Sequence, residues 1–435
     1  MTPEIEKRIK AVQAGRIPAG YKKTKVGIVP KEWGEVRFHD MFSRVVRKNK
    51  EGNTNVLTIS AQYGLINQND FFNKTVASDD KSNYYLMKKG EFAYNKSYSN
   101  GYPFGALKRL DFYDKGIVSP LYICFAASEN NQCPDFYVHY FEAGLMNKEI
   151  QAFAQEGARN HGLLNISVDD FFNSNLLNPP IDEQRKIAEI LATQDRVIEL
   201  KEKLIAEKQS QKKYLMSVLL GDDFKKSFKL NGVTIDKKKW EKKRIEDVAI
   251  MSSGSTPRRD SKDNFCGNIL WLSSGELKQK YICDTEEKIS DKAAKESNLR
   301  VYPEGTFVIA MYGLEAAGIR GTASIIKAKS TISQACMAFT DLNNITNEFL
   351  YYWYLYNGQI IGSKYAQGSK QQNLNSDLMG KIQINLPSLP EQKAIADVLS
   401  AADEEISLLQ KDLEQEKLKK NSLMQLLLTG LVRVQ

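Results

Sequence analysis

Residues 179–220 read PPIDEQRKIAEILATQDRVIELKEKLIAEKQSQKKYLMSVLL, and residues 387–428 read PSLPEQKAIADVLSAADEEISLLQKDLEQEKLKKNSLMQLLL. At a constant offset of 208, the two stretches are identical at 15 of their 42 positions. Each continues for about 38 residues without an internal glycine or proline, and apolar residues recur in it at helical spacing. The chain is therefore predicted to contain two long helices that belong to an internal repeat.

A seven-residue apolar series marks the face on which each predicted helix packs. Lys212 and Lys420 occupy the same step of the two series. Each lysine either fixes the register of the helix pair as a polar core residue or extends its ammonium group to solvent. The residues predicted to pair the helices in an antiparallel coiled coil are Leu191, Ile198, Ile205 and Leu219 in the first, and Leu399, Ile406, Leu413 and Leu427 in the second.

The repeat extends into the segments that precede each helix. Trp33 and Asp40 match Trp240 and Asp247, and later matches follow at drifting offsets, as loop insertions and deletions produce. Short β-like runs alternate there with glycine-rich turns and short helices. We predict an α+β fold: two mixed α/β domains about a pseudo-two-fold axis, joined by the two long helices. The predicted ranges are 1–178 for the first domain with its N-terminal segment, 179–222 for the central helix, 223–386 for the second domain, and 387–435 for the C-terminal helix.

Composition limits the class of protein. The 435 residues are 42% hydrophobic and 26% charged, which excludes wholesale disorder. No apolar run approaches the roughly 18 residues of a membrane span, and the N-terminus lacks the apolar stretch of a signal peptide, so a cytoplasmic protein without membrane contact is expected. The five cysteines form no C-x-x-C pair and the three histidines share no ligand spacing, so no metal site is predicted. A formal net charge of +8 is compatible with a polyanionic partner.

Two related domains on a paired-helix spacer suit a ligand long enough to touch both, such as double-stranded DNA. Loops in both halves combine basic, aromatic and amide side chains, which are the groups that contact phosphates and base edges. A solvated surface is the alternative for His161 and for the basic run 225–244. The predicted DNA-binding residues are Lys96, Tyr98, Tyr102, Lys108, Arg109, Arg159, Asn160 and His161 in the first half, and Arg258, Arg259, Lys262, Arg320, Lys370, Gln371 and Gln372 in the second.

Several segments resemble the DNA sequence-specificity subunit of type I restriction-modification enzymes. They are YKKTKVGIVPKEW at 21–33, SGSTP at 253–257 with GNILWLSSGEL at 267–277, and LPSLPEQ at 386–392 with its weaker partner PPIDEQ at 179–184. They follow the family's own order and cover nearly the whole chain. The first half departs from the pattern because it lacks the Gly-Thr-Pro element. This departure suggests two recognition domains of different subtypes, and hence two different half-sites.

The resemblance implies a division of labour among subunits. Each domain would read a few base pairs of a split, asymmetric DNA site, and the helix pair would set the unread spacer. Two copies of a modification subunit would dock on the helices and methylate adenine with S-adenosylmethionine, and restriction subunits that act as motor and nuclease would join them. ATP, magnesium and S-adenosylmethionine would belong to those partners, and this chain would hold no cofactor.

Enzymatic functions of the chain itself find little support in the sequence. Asn178-Pro179-Pro180-Ile181 lacks the aromatic residue with which amino-methyltransferases stack a flipped adenine, and no glycine-rich cofactor loop precedes it. The sequence contains no G-x-x-x-x-G-K-[ST] phosphate loop. We therefore expect a non-catalytic, DNA-reading subunit. The alternatives are a specificity subunit of a type II system, whose partner fuses nuclease and methyltransferase, and a coiled-coil interaction protein without a nucleic-acid role.

Overall fold

The computed structural model describes residues 2–60, 64–71, 80–98, 101–128, 132–156, 164–222, 226–313, 318–365 and 373–434. Within them the α-helices are α1 (Pro3–Gln13), α2 (Phe38–Met41), α3 (Gln68–Phe71), α4 (Pro134–Glu142), α5 (Asn147–Phe153), α6 (Val168–Phe172), α7 (Ile181–Leu220), α8 (Ile245–Val248), α9 (Asp291–Glu296), α10 (Asn347–Tyr365), α11 (Ser376–Gly380) and α12 (Leu389–Leu427). Short 3-10 helices cover Lys237–Lys239, Lys262–Phe265 and Ser274–Glu276.

The strands within the same residues are numbered in chain order. They are β1 (Tyr21–Lys23), β2 (Ile28–Pro30), β3 (Gly34–Arg37), β4 (Phe42–Arg44), β5 (Leu57–Ser60), β6 (Gly64–Asn67), β7 (Tyr85–Lys88), β8 (Phe92–Asn95), β9 (Ala106–Arg109), β10 (Lys115–Val118), β11 (Ile123–Ala127), β12 (Gln155–Glu156), β13 (Leu164–Asn165), β14 (Asn175–Asn178), β15 (Phe228–Leu230), β16 (Val233–Ile235), β17 (Glu241–Arg244), β18 (Ile250–Ser253), β19 (Ile269–Leu272), β20 (Tyr281–Ile282), β21 (Glu287–Ile289), β22 (Phe307–Ala310), β23 (Ala323–Ile326), β24 (Ser330–Ile332), β25 (Cys336–Thr340) and β26 (Gln383–Leu386).

The chain forms two compact units. The first comprises Met1–Glu202 and Lys411–Gln435, and the second comprises Lys203–Gln410. Each unit therefore contains one mixed domain together with part of α7 and part of α12. The four domain ranges predicted from the sequence are consecutive segments, whereas the first unit combines two separate segments. Those four ranges stay a prediction.

The long helices begin and end where local chemistry favours it. Pro179 and Pro180 precede α7, and the Pro180 carbonyl accepts hydrogen bonds from the amides of Glu183 and Gln184, both at 3.0 Å. α12 ends before Gly430, whose φ of +69° is readily adopted only by glycine, a common way to stop a helix. α7 therefore begins directly after this proline pair, and α12 ends three residues before the glycine.

In each unit the α7 and α12 segments run antiparallel. In the first unit, Lys420 pairs with Asp195 at 2.5 Å, and Lys417 pairs with Glu202 at 3.1 Å, so higher numbers on one helix meet lower numbers on the other. In the second unit, Lys208 pairs with Glu405 at 2.6 Å. The predicted α+β class, with two mixed domains and two long antiparallel helices, is confirmed.

An antiparallel sheet forms the centre of the first mixed domain, with strand order β4-β11-β8-β9. Phe92 on β8 lies opposite Phe125 on β11, and the two rings stack with centroids 5.3 Å apart. Phe38, Phe42 and Phe141 surround this pair and are almost fully buried. Burying so many aromatic side chains in one cluster supplies a large part of the hydrophobic stabilisation of this unit.

The second mixed domain repeats this sheet in the order β18-β25-β22-β23, and β20 extends it as a parallel edge strand. Phe307 and Phe339 lie opposite each other on β22 and β25, with ring centroids 5.1 Å apart. They occupy the places of Phe92 and Phe125. The internal repeat read from the sequence is therefore a repeat of strand order and of core residues.

The remaining strands differ between the units. The first unit has the hairpin β5–β6 and the antiparallel pair β7–β10, whereas the second has the sheet β21-β19-β24, in which β19 and β24 are parallel. In both units a two-stranded ladder, β3–β14 or β17–β26, leads the chain into a long helix. The framework is shared, and the second layer of strands diverges.

Candidate nucleic-acid interface

The two lysines in the heptad series make equivalent ion pairs in the two units. Lys420 pairs with Asp195 in the first unit, and Lys212 pairs with Asp403 in the second. Because both pairs are related by the offset of 208, the same contact is built twice. The lysine side chains are only 18% and 17% exposed, so their ammonium groups bind the neighbouring helix instead of extending to solvent.

The residues predicted to pair the helices lie mainly in apolar surroundings. Leu191, Ile205, Leu219, Leu399, Ile406, Leu413 and Leu427 are buried, and Ile198 is half-buried. Leu191 and Leu427 belong to the core of the first unit, whereas Leu219 and Leu399 belong to that of the second. The same helices thus contribute to both hydrophobic cores.

The Glu-Gln motif at the start of α7 ties the first mixed domain to that helix. The Trp33 indole N–H donates to Glu183 at 2.9 Å, and Arg433 donates to the same carboxylate at 2.7 Å. The Gln184 side-chain amide donates to the Pro179 carbonyl at 2.8 Å. Its oxygen accepts from the Cys133 amide at 2.9 Å. These buried polar groups are satisfied by one another, which fixes how the helix begins.

The same motif works in the second unit. Trp240 donates to Glu391 at 3.1 Å, and Ser388 donates to the same carboxylate from its backbone N–H at 3.0 Å and from its hydroxyl at 2.7 Å. The backbone contact is the glutamate half of a capping box. Burial by itself raises the pKa of Glu391, but these hydrogen bonds outweigh it and hold the pKa below its usual value. The Gln392 amide donates to the Pro387 carbonyl at 2.9 Å. The motif therefore has a structural role in both halves.

The first-half residues Tyr102 and Lys108 come together with Glu142, which the sequence did not single out. Lys108 forms an ion pair with Glu142 and donates to the Tyr102 hydroxyl at 3.0 Å. The Lys108 side chain is only 12% exposed. Burial and the neighbouring carboxylate raise the pKa of Tyr102 above its usual value. This cluster joins β9 and α4, two distant parts of the sequence.

Arg109 lies beside this cluster, and Lys96 and Tyr98 lie near the end of β8. Arg109 pairs with Asp111 and Asp135, each at 2.7 Å, and its charge is balanced within the protein. The backbone carbonyl of Lys96 accepts a hydrogen bond from the Leu164 amide at 3.0 Å. Tyr98 is 62% exposed, which leaves its ring available to an external partner.

The second-half residues Arg258, Arg259 and Lys262 share one loop after β18. The Arg258 side chain is 85% exposed. Arg259 forms two hydrogen bonds to Glu287, at 2.9 and 2.8 Å, and Lys262 is exposed at the start of a 3-10 helix. Arg320 lies elsewhere, where it donates to the Ser363 hydroxyl at 3.1 Å.

Six of the predicted DNA-binding residues lie outside the described residues, so their predicted role stays a prediction. They are Arg159, Asn160, His161, Lys370, Gln371 and Gln372.

Sequence reasoning missed a polar cluster around Lys280 in the second unit. The Lys280 ammonium donates to Ser400 at 2.6 Å and to the Tyr352 hydroxyl at 3.1 Å, and Tyr352 donates to Asp403 at 2.8 Å. The ammonium also lies 4.7 Å from the Tyr352 ring centroid, within range of a cation–π interaction. A single lysine in an irregular segment gives no sequence signal for such a cluster.

Metal-binding clusters and membrane-spanning helices are both absent from the residues that the structure describes. No group of three or more His, Cys, Asp or Glu side chains is placed to hold a metal ion there. Among the described helices, none is both long and apolar enough to cross a membrane.

The fold defines a class of protein in which an α+β unit is built twice, each time with a mixed domain attached to an antiparallel helix pair. The model of one family, the type I restriction modification DNA specificity domain, matches residues 30–208 and 237–418. The chain therefore belongs to this family, whose members are specificity subunits of type I restriction-modification systems.

Curated relatives agree with this assignment. The putative type I restriction enzyme MjaX specificity subunit of Methanocaldococcus jannaschii is 25% identical over 434 residues, which cover 95% of this chain and 97% of that protein. The MjaVIII specificity subunit of the same organism is 27% identical over 74% of this chain and 75% of that protein. The MjaIX specificity subunit is 30% identical over 195 residues, a stretch that spans 41% of its length.

Solved structures share the fold. One, from work on complex assembly and conformational transition of the type I restriction-modification system, has a TM-score of 0.61 at 15% identity and covers 93% of this chain and 99% of that one. The specificity subunit of a type I system from M. genitalium has a TM-score of 0.53 at 14% identity, covering 91% of this chain and 96% of that one.

Proposed function

We propose that the chain reads a bipartite, asymmetric sequence in double-stranded DNA, and that the domain of each unit binds one half-site. The observation that carries this proposal is one framework built twice with two different second layers. The central four-stranded order is kept, whereas β5–β6 and β7–β10 are replaced by β21-β19-β24. A duplicated framework with divergent surroundings suits a ligand whose two parts differ in sequence.

The predicted DNA-binding residues are part of this proposal, but they differ in how accessible they are to DNA. Tyr98, Arg258 and Lys262 are exposed, so DNA phosphates or the base edges in the grooves can reach them. Lys108 and Arg109 are engaged by carboxylates of the protein, and DNA would have to compete with those ion pairs. We therefore assign direct contacts first to the exposed group.

The helix pair would set the distance between the two half-sites. Its double Lys–Asp pairing supports a fixed register, since a heptad shift of one helix past the other would separate both pairs at once. Polar groups at core heptad positions commonly specify register at some cost in stability. The spacer length of the recognised site would then be a property of α7 and α12.

The chain would do no chemistry itself. Two modification subunits, carrying S-adenosylmethionine, would bind the helices and methylate adenine, and restriction subunits with ATP and magnesium would complete the complex in the cytoplasm. The similarity to a structure that concerns complex assembly of a type I system supports this assignment of partners.

Domain replacement tests the proposal directly. Residues 223–386 are exchanged for the corresponding segment of another specificity subunit, and the methylated motif of cells that carry the hybrid is determined by sequencing. We expect one half-site to change and the other to stay the same. A change in both half-sites, or in neither, would contradict independent reading by the two units.

A further inference from the structure

Residues 254–265, called the arginine loop, lie between β18 and β19 and include the adjacent residues Arg258 and Arg259. We infer that the two arginines have different roles: Arg258 contacts a DNA phosphate, whereas Arg259 is a positioning residue that holds the loop and does not contact DNA. This inference rests on the proposed function, because it assigns roles within the second recognition domain.

The arginine loop begins at a place that accepts only glycine. A Cβ atom on Gly254 would lie 1.8 Å from the Ile332 carbonyl oxygen, so the loop passes directly over β24. The next residue is fixed as well, since the Ser255 carbonyl accepts a hydrogen bond from the Trp271 indole at 3.1 Å. Pro257 is buried. The start of the loop is therefore rigidly attached to the sheet β21-β19-β24.

Arg259 continues this attachment. Its guanidinium makes a two-point contact with Glu287 on β21, the fork geometry that gives arginine–carboxylate pairs their directional strength. It also lies over two aromatic rings, 4.7 Å from the Phe265 centroid and 5.4 Å from the Trp271 centroid. Although its side chain is still 57% exposed, Arg259 has two hydrogen bonds to Glu287 and two neighbouring rings, so it is held by more protein contacts than Arg258.

Arg258 is held in a different way. Its carbonyl accepts a hydrogen bond from the Asn264 side-chain amide at 2.9 Å, which fixes the backbone. Its side chain is 85% exposed and pairs with Asp260, itself 64% exposed, at 2.9 Å. Exposed pairs of this kind are weak, so a phosphate can replace the carboxylate. The loop thus presents Arg258 outward while Arg259 anchors it.

The two possible roles of Arg259 can be distinguished, because they predict opposite effects of Glu287→Gln on DNA binding. If Arg259 contacts DNA, then Glu287→Gln frees it and removes a negative charge, and binding strengthens. If Arg259 positions the loop, then the same substitution releases the loop and binding weakens. Asp284→Asn is the matched control, because Asp284 pairs with Lys288 at 2.9 Å and, among the described residues, forms no hydrogen bond or ion pair with the arginine loop.

The experiment uses the full-length chain and a labelled duplex that carries the motif methylated in the source organism, with affinity measured over a series of salt concentrations. We expect Glu287→Gln and Arg259→Ala each to weaken binding by roughly 3- to 10-fold without changing the salt slope. Arg258→Ala should weaken binding by a similar factor and reduce the slope of log K against log salt by about 0.9, as loss of one phosphate contact requires. Asp284→Asn should leave binding unchanged or slightly stronger.

The conservative variant Arg259→Lys provides the decisive comparison, since lysine keeps the charge but loses the fork and the stacking. We expect it to bind as weakly as Arg259→Ala. Full binding by Arg259→Lys, or tighter binding by Glu287→Gln, would overturn the positioning role. If the unaltered chain does not bind the duplex at all, the proposed function fails, whereas binding with these reversed effects refutes only the present inference. Circular dichroism melting of each variant identifies any loss of folding.

Discussion

The same place in the two units is occupied by His139 in one and by Tyr352 in the other. Both residues lie on the helix that follows the central sheet, and both face the aspartate of a repeated Lys–Asp pair. In the second unit the Tyr352 hydroxyl donates to Asp403 at 2.8 Å. In the first unit His139 Nδ1 lies 3.7 Å from Asp195, too far for a good hydrogen bond. The framework is repeated, but the polar network on it is not.

The surroundings of Tyr352 are also more polar and more filled than those of His139. In the second unit Lys280 fills the space above Tyr352 and binds Ser400 on α12. In the first unit, Ala192 stands at the position of Ser400, and a cavity of about 950 Å³ opens beside His139 and Asp195. At this place the second mixed domain is tied to α12 by hydrogen bonds of Lys280 and Tyr352, whereas the described residues of the first unit leave an open cavity. Divergence after duplication has reached the contacts between domain and helices as well as the loops.

The largest difference in stability between the two units is expected when the repeated aspartate is replaced. Asp403→Asn removes the carboxylate that pairs with Lys212 and accepts from Tyr352, which in turn binds Lys280. We expect the unfolding free energy to fall by roughly 2–3 kcal/mol, less than for a fully buried pair because the site is partly exposed. Asp195→Asn leaves only Lys420 unpaired, and about 1 kcal/mol is expected. Hydrogen exchange of peptides from α10 and α4 measures the two effects.

A pair with a second acidic partner serves as the control for this comparison. Asp412 pairs with Lys201, which also lies 3.9 Å from Glu416, so Asp412→Asn should change the unfolding free energy by less than about 0.5 kcal/mol. Equal losses for Asp195→Asn and Asp403→Asn would mean that the Lys280 network adds nothing to the second unit.

A smaller effect is expected from histidine titration, and it falls in the first unit, to which all three histidines belong. Burial lowers the pKa of His139, with Lys420 acting in the same direction and Asp195 opposing it. As pH falls below about 6.5, the unfolded chain binds a proton that the buried imidazole resists, so stability is lost until the lowered pKa of the folded state is reached, by at most about 1.4 kcal/mol per pH unit. His139→Tyr should abolish this loss.

The reciprocal substitution sharpens the same test. Tyr352→His places an imidazole beside Lys212 and Lys280, and the acid sensitivity should move to the second unit. Exchange rates of α4 and α10 peptides, corrected for the intrinsic effect of pH, report both variants. Acid sensitivity that persists in His139→Tyr would show that another group is responsible.

The architecture was largely predictable from the sequence because repeats and heptads are local signals. The presence of two long helices and the equivalence of Lys212 and Lys420 both follow from spacing. The partners of those lysines did not follow, since two readings of a core lysine were equally compatible with the heptad. The structure decides between them through Asp195 and Asp403.

The candidate interface was less predictable because charge in a sequence does not show what neutralises it. Lys108 and Arg109 were grouped with Arg258 as basic loop residues. Glu142 and Asp135, which pair with them, lie on α4 and meet them only after folding. The tertiary fold therefore divides a chemically uniform set into engaged and exposed cations.

Lengthening the helix pair tests the central claim most directly. Seven residues are inserted after Leu200 and seven after Leu408, its equivalent at the offset of 208, which preserves the heptad phase of both helices and adds about 10 Å to each. The methylated motif of cells carrying this variant is then determined by sequencing. We predict a spacer longer by about 3 base pairs between two unchanged half-sites. An unchanged spacer, or an altered half-site, would contradict the account.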